Sequence, residues 1–141
     1  MPKQKTAVPL LILWIVSIIA ISWLTLRPET VDDTAFKYFD IVQHFGAFAW
    51  LGFLPMRTFR ERDTAITAAG AMIFFGAVLE LAQIMTPTRD PSWLDMLANT
   101  VGVCVGIWIG QRLKEREYFV QLKKSIEERE QENKRRSQHH R

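Results

Sequence analysis

Three pairs of polar residues stand within or beside long apolar stretches of the chain. The members of each pair are three or four positions apart, which places them on one face of a helix. An ionisable group inside lipid is costly, so residues of this kind usually line a cavity, a pathway or a reactive site. The pairs are Asp40 and His44, Glu80 and Gln83, and Asp95 and Asn99.

His44 and Glu80 are the candidates for chemistry. His44 is the only histidine outside the tail, and a carboxylate within an apolar helix, such as Glu80, needs a partner or a proton. Imidazole and carboxyl groups both transfer protons, so we interpret these two residues as a catalytic acid/base pair. Arg89 is a candidate for holding an anionic group such as a phosphate. The other candidate binding residues are Asp40, Gln83, Asp95 and Asn99.

Some of these residues also have a purely structural interpretation. Asp95 follows Ser92 by three positions, which is the spacing of a capping box at the start of a helix. Asn99 is of the type that joins helices in membrane bundles by hydrogen bonds. Arg89 is equally interpretable as a loop charge that influences membrane orientation or that caps a helix end. For His44 and Glu80 the functional interpretation is favoured over the structural one.

The polar pairs lie on stretches that are long enough to cross a bilayer as helices, and the chain has four such stretches. A transmembrane helix needs about twenty mainly apolar residues. The second reaches that length only by including polar residues such as Asp40 and His44, and Asp63 is the expected N-cap of the third. The sequence therefore predicts an all-α membrane protein in which four transmembrane helices pack as a bundle. The predicted spans are 8–26, 36–56, 65–85 and 92–113, within a membrane domain of residues 1–113.

Glycines are placed where they would allow close helix packing. Gly102, Gly106 and Gly110 form a tandem ridge on the fourth span, and small residues at such spacing permit backbones to approach. Further glycines occur on the second and third spans. These are Gly46, Gly52, Gly70 and Gly76.

The last part of the chain, residues 114–141, is rich in charged residues and is expected to form a cytoplasmic tail. Tyr118, Phe119, Leu122 and Ile126 form a narrow apolar stripe, so the tail is predicted to be part-helical, with disorder from Lys134 onward.

Lysine and arginine cluster before the first span, between the second and third, and after the fourth. Such residues are retained in the cytoplasm, so both termini are expected inside and the polar pairs at the outer face.

The net charge of +3 comes mostly from the tail, and basic flanks beside apolar spans favour anionic lipid over nucleic acid as the partner. The single Cys104 excludes an intrachain disulfide. No cofactor or metal is predicted. A zinc site of His, Glu and Asp residues is the less favoured alternative, because one imidazole outside the tail matches no recognised zinc motif.

The ordered combination of these motifs resembles the VanZ-like family of small bacterial membrane proteins. The resemblance runs from about Leu26 to Gly110 and is carried by segments 40–45, 80–83 and 95–102, with Arg89 between them. Ile41 departs from the family, which often has Lys after the Asp. The family's namesake is associated with resistance to the glycopeptide antibiotic teicoplanin, so the resemblance implies a role in the cell envelope.

These observations predict a multi-pass protein of the bacterial cytoplasmic (inner) membrane. Its outward-facing polar pocket is expected to bind or act on a membrane lipid or a lipid-linked envelope precursor, with an effect on glycopeptide susceptibility. One alternative is a non-catalytic structural or interaction protein. In either case the sequence allows a homo-oligomer. An ion or proton pathway is less favoured, since the inner halves of the spans lack ionisable residues.

Overall fold

Four helices contain nearly all of the residues that the structure describes. The computed structural model covers residues 7–27, 34–85 and 92–139, with side chains described for 7–27, 39–85 and 92–137. The helices are α1 (Val8–Leu26), α2 (Thr34–Thr58), α3 (Arg62–Gln83) and α4 (Trp93–His139). Within these ranges there is no strand, so the all-α prediction is confirmed.

Three of the four helices, counted over the described ranges, are both long and apolar enough to cross a membrane. These are α1, α3 and the apolar part of α4. With 25 residues, α2 has the necessary length, about 37 Å at 1.5 Å per residue, but its polar residues leave it less apolar than the others. The prediction of membrane-spanning helices is therefore supported for α1, α3 and α4, and the span predicted for residues 36–56, in α2, stays a prediction.

The start of α3 differs from the expectation. The helix begins at Arg62 and Glu61 occupies the N-cap position, so the prediction that Asp63 caps it is wrong. Asp63 lies in the first turn, where a negative charge interacts favourably with the positive end of the helix dipole. Glu61 makes no capping bond to the backbone, and its carboxylate instead accepts a hydrogen bond from the Thr64 hydroxyl at 3.2 Å.

The tail is more regular than predicted. The chain divides into two units, Met1–Gly110 and Gln111–Arg141, and the second unit is helical as far as His139. The expectation of disorder from Lys134 is therefore wrong for residues 134–139, the part of this segment that the structure describes. One local reason for the helix is an ion pair between Arg136 and Glu132, whose guanidinium nitrogen and carboxylate oxygen are 2.6 Å apart. Oppositely charged residues four positions apart stabilise a helix.

A hydrogen bond connects α1 to α2 beside a proline of α2. Pro55 lies inside α2 and has no N–H to donate to the carbonyl four residues earlier, which is that of Leu51. The indole Nε1–H of Trp14 on α1 donates to this Leu51 carbonyl at 3.1 Å. A side chain of a neighbouring helix thus satisfies the backbone group that the proline leaves open, as membrane helices require.

Helices α2 and α4 are in backbone contact along the glycine ridge. A Cβ placed on Gly102 would lie 2.5 Å from the carbonyl oxygen of Phe45, and one on Gly110 would lie 2.5 Å from the Cβ of Met56. On Gly106, a Cβ would overlap the carbonyl oxygen of Ala49. The predicted ridge therefore lies directly against α2.

Outside the ridge, the predicted glycines divide into two groups. Gly52 lies against the backbone of Val103, and Gly76 lies against Phe48 and Asn99. A Cβ on Gly46 or Gly70 would meet nothing within 4 Å, so the prediction that these two glycines enable close packing is wrong.

The centre of the first unit is apolar, and so is much of its outer surface. Its buried cluster consists of Phe48, Leu51, Met72, Leu79 and Val103. Large apolar side chains such as Ile19, Trp23 and Phe74 face outward. A helix that is apolar on all sides is suited to a hydrocarbon surrounding, which accounts for this exposed surface.

Candidate functional site

Polar residues from all four helices gather at one end of the first unit. Near the end of α3, the Gln83 amide donates to the carbonyl of Thr25, in the last turn of α1, at 3.1 Å. One turn earlier, the Glu80 carboxylate accepts the backbone N–H of Ser92, just before α4, at 2.5 Å. The early part of α2 contributes Asp40 and His44. The basic segment between α2 and α3 lies at the opposite end of these helices.

His44 lies at the centre of this group, with only 6% of the residue exposed. Its Nδ1 is 3.0 Å from Oδ1 of Asn99 on α4. With the Asn99 amide oxygen as the acceptor, Nδ1 is the donor in this contact. In the neutral ring the lone pair is then on Nε2, which lies 3.8 Å from Oδ1 of Asp40.

Asp95 completes a group of three potential ligand-bearing side chains. One carboxylate oxygen each of Asp40 and Asp95 and one ring nitrogen of His44 lie within 4.8 Å of one another. Asp95 is 9% exposed, and the Asp40 side chain is 27% exposed. The 3.8 Å separation of His44 and Asp40 is too long for a hydrogen bond.

The start of α4 does not follow a simple capping box. In that motif the side chain three residues after the cap accepts the N–H of the cap residue. Here Glu80 of α3 accepts the Ser92 N–H, while the Asp95 carboxylate lies beside Asp40 and His44. Asp95 therefore contributes to the cluster and not only to the local helix end.

The contacts described for the predicted site residues fall into two sets. His44, Asn99, Asp40 and Asp95 form one cluster between α2 and α4. Glu80 and Gln83 are both buried, and each is hydrogen-bonded to a backbone group of another segment. Arg89 lies outside the described residues.

A cavity of about 210 Å³ opens beside the cluster, between α1 and α2. Asp40 and His44 line it, together with Thr25 and Gln43. Neither Thr25 nor Gln43 was among the predicted site residues. The signal for Gln43 is its position three residues after Asp40 on the same helix face, and the signal for Thr25 is a hydroxyl residue in the last turn of an apolar helix.

A comparison with protein-family models finds a match to this chain. The VanZ/LLP1 family model matches residues 5–114, which is most of the chain. The chain belongs to the VanZ/LLP1 family. No curated protein and no solved structure matched it. The VanZ/LLP1 match contains every predicted site residue and the whole glycine ridge.

Proposed function

We propose that the His44 cluster and the adjoining cavity form a pocket for the polar part of a membrane lipid or a lipid-linked envelope precursor. The observation that carries this proposal is a buried histidine, hydrogen-bonded to Asn99, whose ring borders a cavity of about 210 Å³. The cavity has polar lining from Asp40 and Gln43 and apolar lining from residues such as Ile21 and Leu24. This combination fits a molecule with a polar group and a hydrocarbon portion.

The pocket is proposed to face outward from the bacterial cytoplasmic membrane. Its support is the separation of charges, since the polar cluster lies at one end of the helices and Arg57, Arg60 and Arg62 lie at the other. Positive residues are retained in the cytoplasm, so this orientation places both termini inside. An outward pocket for an envelope precursor would connect the protein to glycopeptide susceptibility, as the family resemblance implies.

In the catalytic form of the proposal, His44 and Glu80 are the acid/base pair and Asp40, Asp95 and Asn99 orient the reacting groups. In this form Nε2 of His44, the ring nitrogen that is not bonded to Asn99, exchanges the proton. In this form Arg89 holds an anionic group of the bound molecule.

A non-catalytic function is the second candidate, and a specific observation favours it. Glu80 and Gln83 bind backbone groups of Ser92 and Thr25, so both side chains tie helices together. A structural or interaction protein needs such ties and no turnover. For an ion or proton pathway there is less support, because the buried polar residue described at the opposite end is Thr58, which does not ionise.

The binding proposal is tested by identifying the amphiphiles that co-purify with the protein. Wild type is compared with His44→Gln, Glu80→Gln and Thr100→Ala. Thr100 is the control, since its hydroxyl bonds the Met96 carbonyl of its own helix. We expect a polyprenyl phosphate or phospholipid to be enriched with wild type and Thr100→Ala and reduced at least fivefold with His44→Gln. An identical set of molecules in all four preparations would contradict the proposal.

The orientation is tested by labelling single cysteines in a Cys104→Ser background. Met85 is 88% exposed at the polar end, and Glu61 is exposed at the basic end. We expect Met85→Cys, and not Glu61→Cys, to react with an impermeant reagent in intact cells, or in cells with a permeabilised outer membrane. The reverse labelling pattern would overturn the topology.

A further inference from the structure

We propose that Asp40, His44 and Asp95 form a binding site for a divalent transition-metal cation such as Zn²⁺. This inference rests on the proposed pocket and deepens it, since it adds a cation for recognition of an anionic group. It departs from the expectation of no metal that the sequence gives.

The ligand set has the right chemistry. One imidazole nitrogen and two carboxylate oxygens, contributed by α2 and α4, lie within 4.8 Å of one another. Imidazole and carboxylate are common protein ligands of Zn²⁺, and a nitrogen ligand favours a transition metal over Mg²⁺ or Ca²⁺. Asp40 and His44 are four residues apart on α2, but the third ligand, Asp95 on α4, lies more than fifty residues further along the chain, so sequence spacing alone does not indicate the complete set.

The separation of the ligand atoms is compatible with one ion. Bonds from Zn²⁺ to nitrogen or oxygen are roughly 2.0–2.2 Å, so two ligands of a tetrahedral ion lie about 3.3–3.5 Å apart. His44 Nε2 and Asp40 Oδ1 are 3.8 Å apart, which is too far for a hydrogen bond and close to this value. Side-chain rotations of the two aspartates that move their oxygens by about 1 Å would complete the geometry.

His44 is oriented for metal binding by its other nitrogen. The hydrogen bond from Nδ1 to Asn99 Oδ1 fixes the ring and leaves the Nε2 lone pair toward Asp40. Metal-binding histidines almost always donate their second ring N–H to an oxygen in this way. Asn99 is itself 2% exposed and lies against Gly76, so the orienting group is also held in place.

The adjoining cavity supplies access and further ligands. His44 and Asp40 both line the cavity of about 210 Å³, which has room for several water molecules. Three protein ligands plus a water or a substrate oxygen is the arrangement of zinc sites that act on a ligand. A phosphate of a lipid headgroup or a free phosphate would fit this open position equally. With the ion bound, His44 Nε2 serves as a ligand and not as a proton acceptor.

The test uses the full-length chain in detergent, purified without a histidine tag. The background is the double variant His139→Gln/His140→Gln, which removes the only other histidines. Zn²⁺ binding is measured by calorimetry and by metal analysis after dialysis, with Mg²⁺ as the comparison. Co²⁺ provides a spectroscopic signature through its visible absorption. Soluble phosphate and phospholipid in nanodiscs are then added separately to the Co²⁺ form to distinguish the two sources of anion.

We expect one Zn²⁺ per chain in this background and no saturable binding of Mg²⁺. His44→Gln and Asp95→Asn should each weaken the Zn²⁺ affinity by tenfold or more and remove the Co²⁺ spectrum. Asn99→Ala, which removes only the orienting bond, should weaken the affinity by about 10–100-fold. Asp63→Asn, a carboxylate in the exposed first turn of α3, is the matched control and should bind as the background does.

No saturable Zn²⁺ binding in the background would overturn the inference, as would unchanged affinity in His44→Gln and Asp95→Asn. Should these two variants fail to fold, as judged by gel filtration, the Zn²⁺ affinity of Asp40→Asn is the deciding measurement, because the Asp40 side chain is partly exposed. An affinity equal to that of the background would then overturn the inference. Loss of co-purifying amphiphile in His44→Gln without Zn²⁺ binding to the background would refute the metal site and leave the proposed pocket standing. Zn²⁺ binding without any amphiphile would refute the pocket function alone.

Discussion

Substitution of Gly106 by alanine should separate α4 from α2. A Cβ at this position would overlap the Ala49 carbonyl oxygen and would lie 2.7 Å from the Phe53 backbone nitrogen. Ordinary contacts of a Cβ begin at about 3.4 Å. Both opposing atoms belong to the backbone, so no side-chain rotation relieves the overlap and the helices must move apart by about 1 Å or more.

The expected loss of stability follows from this geometry. Inserting a methyl group into a closely packed contact usually costs about 1–3 kcal/mol, and moving the helices also weakens the contacts at Gly102 and Gly110. Alanine favours the helix over glycine by up to about 1 kcal/mol, which offsets part of the cost. Gly70→Ala is the matched control, because its Cβ would meet nothing within 4 Å and only the helix preference remains.

The free energies of unfolding can be compared by titrating SDS into the protein in mixed micelles and following tryptophan fluorescence. We expect Gly106→Ala to be destabilised by about 1–3 kcal/mol and Gly70→Ala to be unchanged or stabilised by up to about 1 kcal/mol. If Gly106→Ala were as stable as Gly70→Ala, the close approach of α2 and α4 at this ridge would be refuted.

Two further predictions concern hydrogen bonds between helices. Trp14→Phe should lower the free energy of unfolding by about 1–3 kcal/mol, because it leaves the Leu51 carbonyl beside Pro55 without its indole donor. Trp23→Phe, at a position 66% exposed, should have little effect, and equal losses in both variants would contradict this reasoning. In a double-mutant cycle, His44→Ala and Asn99→Ala should show a coupling energy of about 0.5–1.5 kcal/mol in SDS unfolding, the range of such bonds in membrane proteins. Strictly additive losses would mean that the bond contributes nothing.

Much of the local organisation could be predicted from the sequence. Apolar length and spacing are properties of one segment at a time, so helices such as α1 and the face shared by Asp40 and His44 follow from them. The glycine ridge of α4 was predicted for the same reason, since its period of four is visible in the chain. The sequence motifs also resemble those of VanZ-like proteins, and the family match confirmed this resemblance.

Local signals were less informative at helix ends and at isolated glycines. Asp63 has the residue type of an N-cap, but α3 begins one residue before it, at Arg62. Gly46 and Gly70 have the same residue type as Gly106, and only the position of a second helix distinguishes them. A glycine enables close packing only if another backbone lies opposite, and no single segment contains that information.

The partners of the polar residues were decided by tertiary structure alone. The sequence placed His44 and Glu80 at similar depth, whereas the folded chain bonds His44 to Asn99 and Glu80 to the backbone of Ser92. Depth along a helix is set by the 1.5 Å rise per residue, but rotation about the helix axis is set by packing against neighbours. The Gly102–Gly106 ridge fixes α4 against α2, and this contact brings Asn99 to His44. The sequence thus determined which polar residues reach this end of the protein, and helix packing determined which of them meet.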